Sequence, residues 1–231
     1  MKKVAISIGG SILSSKSVFD VGFAKDLARV LAKHKDMQFV ISTGGGRLVR
    51  DAVAAIGTVD GNKYSLDEIA IEITRLHAMM LKSVLGAEGL SGDVYTRVPA
   101  TPDDARQACM HSRIVIHGGF IPGITTDSCA TLSAEAIGAR LLINVSETSH
   151  IYDKDPRKNK DAKPLARMGY DQLIELAGRS DARNPGSNFV FDLLATKLIK
   201  RSGIKTVFIG KDIKNLDSVL SGNKFEGTTI E

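Results

Sequence analysis

Tryptophan is absent from this 231-residue chain, and aromatic residues make up only 5% of it. The core must therefore be mostly aliphatic, and no aromatic side chains stand among the basic ones as a base-stacking nucleic-acid platform needs. Cysteine is as scarce. Cys109 and Cys129 show no metal-ligand spacing and read as buried or free thiols in a reducing compartment. No His-Glu-x-x-His or paired-cysteine pattern occurs, so a protein-bound zinc is not expected. No apolar run reaches the roughly 20 residues that span a bilayer. The chain opens on a strand pattern, not on a signal-peptide layout. A soluble, cytoplasmic protein is expected, with no membrane or nucleic-acid partner.

What is present is ordinary in bulk. Hydrophobic residues are 43% and charged residues 25%, and the length suffices for one large α/β domain or two small ones. The formal charge of +5 comes from 31 basic against 26 acidic residues, which are spread out. That excess fits either a mixed solvated surface or a preference for phosphorylated small molecules.

The informative pattern is glycine at strand ends. Residues 3–8 read as a buried strand that runs into Gly9-Gly10-Ser11. Residues 20–34 read as a helix, with Asp20 as N-cap and Phe23, Leu27, Val30 and Leu31 as its apolar stripe. Met37–Ser42 is a second strand. It ends in Thr43-Gly44-Gly45-Gly46 and enters a helix carrying Leu48, Val49, Ala52, Val53 and Ile56. A long helix is expected from Ser65 to Leu85, with Leu66, Ile69, Ile73, Leu76, Met80, Leu81 and Val84 at helical spacing. Met79 and Met80 fit core packing or a subunit contact. Val94–Val98 reads as a short strand, and Thr101-Pro102 as a helix start. Arg113–His117 is a strand that ends in the third cluster, Gly118-Gly119, before a helix that runs to Ala139.

Arg140–Val145, apolar throughout, reads as a central strand. Ser146–Pro164 reads as loop and hairpin, Tyr170–Gly178 as a helix and Ala182–Asn188 as a flexible loop. Phe189–Ser202 reads as a helix with Leu193, Leu194, Leu198 and Ile199 on one side. Lys205–Ile209 is a strand, Asn215–Leu220 a helix and Gly227–Ile230 a final edge strand. The alternation implies a mainly parallel sheet covered on both faces, a three-layer α/β/α sandwich. Ligands of such sheets bind beyond the carboxyl ends of the strands, where all three glycine clusters would lie. Successive backbone amides at such turns attract phosphate. The pattern is neither a Walker A loop nor a dinucleotide fingerprint.

Taken in order, Ile8-Gly9-Gly10-Ser11, Thr43 through Arg50, Ile73-Thr74-Arg75, Pro122 through Asp127, Tyr152 through Pro156, Ser202 through Thr206 and Gly227 through Ile230 resemble the amino-acid-kinase superfamily. Within it they are most similar to the archaeal-type uridylate (UMP) kinases. The resemblance spans essentially the whole chain. It implies a single domain over 1–231, with an acceptor half (1–145) and a donor half (146–231). It also implies magnesium with ATP as donor, UMP as acceptor and a homohexamer.

Residue by residue, it implies ATP contacts from Gly9, Gly10, Ser11, Gly45, Arg50, Ser146, Tyr152 and Asp155. It implies UMP contacts from Gly44, Asp67, Phe120, Ile121, Pro122, Gly123, Ile124, Thr125 and Thr126. Arg50, Asp127 and Asp192 are the candidate catalytic residues. Without the family, Asp67 reads as a first-turn helix acid, Thr125 and Thr126 as caps, and Tyr152 as surface.

The chain departs from the family at four places. Ser7 stands where many members carry Lys and the archaeal UMP kinases an acid. Ser146-Glu147-Thr148-Ser149-His150 replaces the usual Thr-Asn-Val-Asp-Gly, which bears on the donor nucleotide. Phe120 or Ile121 stands where the family has a His. Lys197, on the late helix, reads as a solvated lysine or a phosphate contact. The rival readings are a kinase of this fold for a carboxylate or another small phosphate, and a nucleotide-binding sensor or storage protein without turnover.

Overall fold

The structure is a computed structural model that describes residues 1–14, 17–157, 159–180 and 191–231. In chain order it has β1 (Lys2–Ile8), a helical turn α1 (Gly10–Leu13), α2 (Val21–Lys33), β2 (Met37–Thr43), α3 (Gly46–Ile56), α4 (Lys63–Leu85), α5 (Pro102–Cys109), β3 (Ile114–His117) and α6 (Thr126–Ile137). Then follow β4 (Leu141–Val145), β5 (Ile151–Tyr152), β6 (Pro164–Leu165), β7 (Arg167–Met168), α7 (Tyr170–Ser180), α8 (Leu193–Ser202), β8 (Lys205–Ile209), α9 (Ile213–Leu220) and β9 (Thr228–Ile230).

Seven strands form one sheet in the order β3-β2-β1-β4-β8-β9-β7. The first five run parallel, β9 is antiparallel to β8, and β7 is parallel to β9. Side chains alternate between the sheet faces, and each face has its own core. Val4, Ile6, Ile8, Phe39, Ile41, Ile143 and Val207 point to the layer of α2, α4 and α9. Ala5, Val40, Val115, Leu142 and Phe208 point to the layer of α5, α6, α7 and α8. Full burial of each aliphatic side chain contributes about 1.5–3 kcal/mol. The three-layer α/β/α sandwich is thus the observed fold, and β4 lies at the centre of the sheet.

The local signals act as their chemistry dictates. Asp20 accepts from the Phe23 amide at 2.9 Å to start α2, and Thr101 accepts from the Asp104 amide at 3.0 Å with Pro102 behind it. Gly138 closes α6 and Gly203 closes α8, both in left-handed conformation.

Several elements differ from expectation. Val94–Val98 is not a strand. Only Val94 pairs, with Ile114. The Thr96 carbonyl is already taken by Lys82 Nζ at 2.6 Å, and Pro99 offers no donor. The carboxyl-terminal strand is not an edge, because the two-residue β7 adds beyond it. The late helix begins at Leu193 because Asp192 caps it, accepting from the Ala195 amide at 3.0 Å. Leu194 is exposed, off the buried stripe. The loop expected at Ala182–Asn188, and Phe189 with it, lies outside the described residues.

On α4 the buried residues are Leu66, Ile71, Thr74, His77, Ala78, Leu81 and Leu85. Of the other apolar residues at helical spacing, Ile69, Ile73 and Met80 are half-buried and Leu76 is exposed, and Met79 is 51% exposed.

Candidate functional site

A row of side chains crosses the carboxyl end of the sheet. Strand register aligns His117 with Ser42, Ser42 with Ser7, Ser7 with Asn144, and Asn144 with Phe208. All are buried, and they face α6. Four are polar because α6 offers them partners. Ser42 donates to the Thr126 carbonyl at 3.1 Å. Ser7 and Asn144 both donate to Asp127 Oδ1 at 2.8 Å. His117 Nε2 meets Ser133 Oγ at 3.0 Å.

Asp127 is therefore held from below, with no hydrogen-bond partner for Oδ2 among the described residues. Burial, reinforced by the charge of Asp192, pushes its carboxyl up to about 6, against the bonds from Ser7 and Asn144. His117 is pushed down to about 4 by burial. Asp192 lies beside this group. Ser128 Oγ bonds its two oxygens at 2.9 and 3.0 Å, and Thr125 Oγ1 donates to Oδ2. Asp192 thus fastens the start of α8 to the start of α6.

Above Asp127 the first two glycine turns meet backbone to backbone. A Cβ on Gly10 would lie 1.9 Å from the Gly46 nitrogen and 2.6 Å from the Gly45 nitrogen. Gly46 has φ +60°, a conformation that only glycine adopts at low cost. The third turn is clamped from α4. Thr74 Oγ1 accepts from the Gly119 amide at 2.7 Å, Arg75 reaches the Gly119 carbonyl at 3.3 Å, and Asp67 Oδ2 accepts from the Gly123 amide at 2.8 Å.

These elements enclose a cavity of about 920 Å³. Gly9, Gly10, Ser11, Gly44, Gly45, Arg50, Asp67, Ile121, Gly123, Ile124, Thr125, Thr126, Asp127, Ser146 and Asp192 line it. Phe120, Pro122, Tyr152 and Asp155 do not. Phe120 is buried with its ring stacked on His117, centroids 4.6 Å apart. Tyr152 sits in the β5–β6 hairpin, and Asp155 pairs with Arg157 at 3.0 Å. Lys197 is exposed and away from the cavity.

Sequence reasoning missed Lys63, Glu147 and Arg157 as lining residues, and Asn144, Thr74 and His77 as supports. Register between the adjacent parallel strands β1 and β4 brings Asn144 to Ser7, and no local pattern signals that. Arg50 is exposed on α3 and has no ion-pair partner among the described residues. An open cavity with glycine turns, the start of α6 and a free arginine suits a ligand carrying phosphates.

Comparison with known proteins agrees with this chemistry. Residues 2–210 match the amino acid kinase family. A protein of Thermoplasma acidophilum named uridylate kinase is 34% identical over 230 residues, covering 100% of this chain and 97% of the relative. One of Thermococcus onnurineus with the same name is 38% identical, covering 99% of each. The crystal structure of uridylate kinase from Archaeoglobus fulgidus superposes with a TM-score of 0.86 at 32% identity, covering 100% of each chain. That of UMP kinase from Bacillus anthracis, at 20% identity and a TM-score of 0.79, shares the fold, covering 100% of this chain and 96% of that one. By match over nearly its whole length, and by a site built at the carboxyl edge of the shared sheet, this chain belongs to the amino acid kinase family.

Proposed function

We propose that the protein is a uridylate kinase that transfers the γ-phosphoryl group of ATP to UMP, giving UDP and ADP. The observation that carries this is the contact between the Gly9–Ser11 and Gly44–Gly46 turns. It joins two amide-rich turns into one cradle, with room for donor and acceptor on either side. Relatives named uridylate kinase over the full length of the chain supply the acceptor.

The acceptor oxygen is already anionic at neutral pH, so no strong base is required. Catalysis is positioning and charge neutralisation. Amides of Gly10, Ser11 and Gly45 hold the transferring phosphates, and Arg50 adds a bidentate cationic contact. Thr125, Thr126 and the start of α6 hold the UMP phosphate, with Asp67 and the 121–124 segment around the nucleoside. Ser146, Glu147, Thr148 and Arg157 border the donor. Asp192 acts as a positioning residue, since its oxygens are occupied by Thr125 and Ser128.

Among the described residues no group of three carboxylate, histidine or cysteine side chains forms a metal cage. The oxygen Oδ2 of Asp127 nevertheless fits magnesium that arrives on the triphosphate, an ion held mainly by phosphates and one or two carboxylates. That ion, when bound, neutralises charge on the phosphates.

The whole chain would act as one domain, with residues 1–145 on the acceptor side and 146–231 on the donor side. The outward apolar face of α4 supports a homo-oligomer, a hexamer by family resemblance. No helix among the described residues is long and apolar enough to cross a membrane, and a cytoplasmic location fits nucleotide substrates.

A coupled ADP-release assay tests the reading, with ATP, magnesium and a panel of UMP, CMP, dUMP, AMP, isopentenyl phosphate, aspartate and N-acetylglutamate. Release with UMP far above the others is expected. Nucleotide binding without release from any acceptor would leave a sensor or storage protein instead.

A further inference from the structure

Two buried imidazoles stand behind the glycine turns, and they differ. His117 engages both nitrogens, Nδ1 with the Gly118 carbonyl at 2.8 Å and Nε2 with Ser133. His77, on α4, is fully buried. Its Nδ1 lies 2.8 Å from the Gly44 carbonyl, while Nε2 has no partner among the described residues. A carbonyl oxygen only accepts, so Nδ1 carries the proton and Nε2 is a bare acceptor sealed in the core. The nearest ring, Phe19 at 6.0 Å between centroids, has no hydrogen to donate to it. An unpaired buried acceptor is unfavourable, and leucine would fill the same space without one. The feature that the imidazole adds is the bond to Gly44.

That bond sets the orientation of one peptide. The Gly44–Gly45 peptide is trans, so its carbonyl and its amide point in opposite directions. With the Gly44 oxygen turned inward to His77, the Gly45 N–H is turned away from α4. The Gly45 nitrogen lies on the Gly10 side, 2.6 Å from where a Cβ on Gly10 would be. Both glycines line the cavity. Neither Gly44 nor Gly45 has a Cβ to resist rotation of the peptide between them. Turned over, the pair would present an oxygen to a bound phosphate in place of an N–H.

We propose that His77 is a positioning residue that locks the Gly44–Gly45 peptide so that the Gly45 amide, and not the Gly44 carbonyl, faces the phosphates of a bound nucleotide. The nature of the nucleotide rests on the uridylate kinase reading. The orientation of the peptide rests on the geometry alone.

Three substitutions separate this role from packing. His77→Asn keeps a carboxamide N–H near the Nδ1 position. His77→Gln moves the carboxamide towards the Nε2 position, and His77→Leu has no donor. The readouts are kcat and KM, and the Gly45 amide resonance of ¹⁵N-glycine-labelled protein titrated with ATP and with UMP. Wild type and His77→Asn should show a Gly45 amide that shifts with nucleotide, and His77→Asn should retain most of the rate. His77→Leu and His77→Gln should lose that shift, and kcat should fall by about 100-fold, the loss typical of one misplaced amide donor.

The proposal is overturned if the Gly45 amide still shifts in His77→Leu or His77→Gln. It is also overturned if all three variants lose rate and melting temperature together, which is a packing role. If His77→Leu does not fold, the contrast of His77→Asn with His77→Gln decides alone. Wild-type protein that transfers no phosphoryl group would sink only the kinase reading, because the amide titration still reports the peptide.

Discussion

Ser7 donates its hydroxyl hydrogen to Asp127 across 120 residues of sequence, at 2.8 Å. The bond joins the sheet to α6 at a position where the family resemblance implies a charged residue, lysine or an acid. A hydroxyl cannot supply a cation there. It can hold a carboxylate, and it favours the charged form of Asp127. Replacing Ser7 with Ala leaves Asn144 as the remaining donor to Oδ1 and should raise the Asp127 pKa further. The expected result is a modest loss of kcat at pH 8, a larger loss at pH 6, and an acid limb displaced to higher pH. A pH–rate profile of Ser7→Ala beside wild type checks this. An unshifted limb would show that Asp127 ionisation does not govern turnover.

Asp127 also makes stability depend on pH, with a definite sign. Its folded value of about 6 exceeds the ordinary 3.8. The folded state therefore binds more protons than the unfolded chain between those values, and stability falls as pH rises through that window. The full difference is about 3 kcal/mol above pH 7. Asp127→Asn removes the titration and the repulsion with Asp192. It should melt higher than wild type at pH 8, lose that advantage near pH 4, and lose at least about 100-fold in turnover. Thermal melts of both proteins across pH 4–8 provide the check. An equal difference at both ends would dismiss Asp127 as its source.

Some of this architecture was legible in the chain and some was not. Strand–glycine–helix junctions and the caps at Asp20 and Thr101 are local, and local chemistry announced them. The row that joins Ser42, Ser7 and Asn144 depends on register between strands that are distant in sequence. That Ser7 matches neither the lysine nor the acid of the family pattern was visible, but not the bond that it makes. The long helix α4 carries two apolar faces, and periodicity alone cannot say which is inward. Thr74 and His77, both polar, are on the buried face because Gly119 and Gly44 give them partners. Phe120 and Tyr152 were placed by family motif; the Phe120 ring is buried against His117, and Tyr152 is a half-buried residue of the β5–β6 hairpin.

The outward face of α4 predicts an interface. Ile69, Ile73 and Leu76, flanked by Glu68 and Glu72, border a shallow apolar depression. Leu76 is 39% exposed and Met79 51%. Contiguous exposed apolar surface of this kind marks contacts between proteins. Light scattering should give a mass that is a multiple of the 24.7 kDa chain. Leu76→Glu should reduce that mass while leaving the fold intact by circular dichroism. An unchanged mass in the variant would move the contact to another face.

The tightest constraint on the site is the meeting of two backbones, and it can be separated from ordinary glycine strain. Gly10→Ala must push the Gly44–Gly46 turn away, because the added carbon would stand 1.9 Å from a backbone nitrogen, with no flexible side chain to yield. Gly222 has φ +71° with nothing within 4 Å of an added Cβ, so Gly222→Ala meets strain without collision. The second change should lower stability by about 1 kcal/mol and leave turnover intact. The first should abolish turnover and also cost about 1–3 kcal/mol in denaturant unfolding. Equal effects of the two substitutions on activity would mean that the contact between the turns does not shape the site.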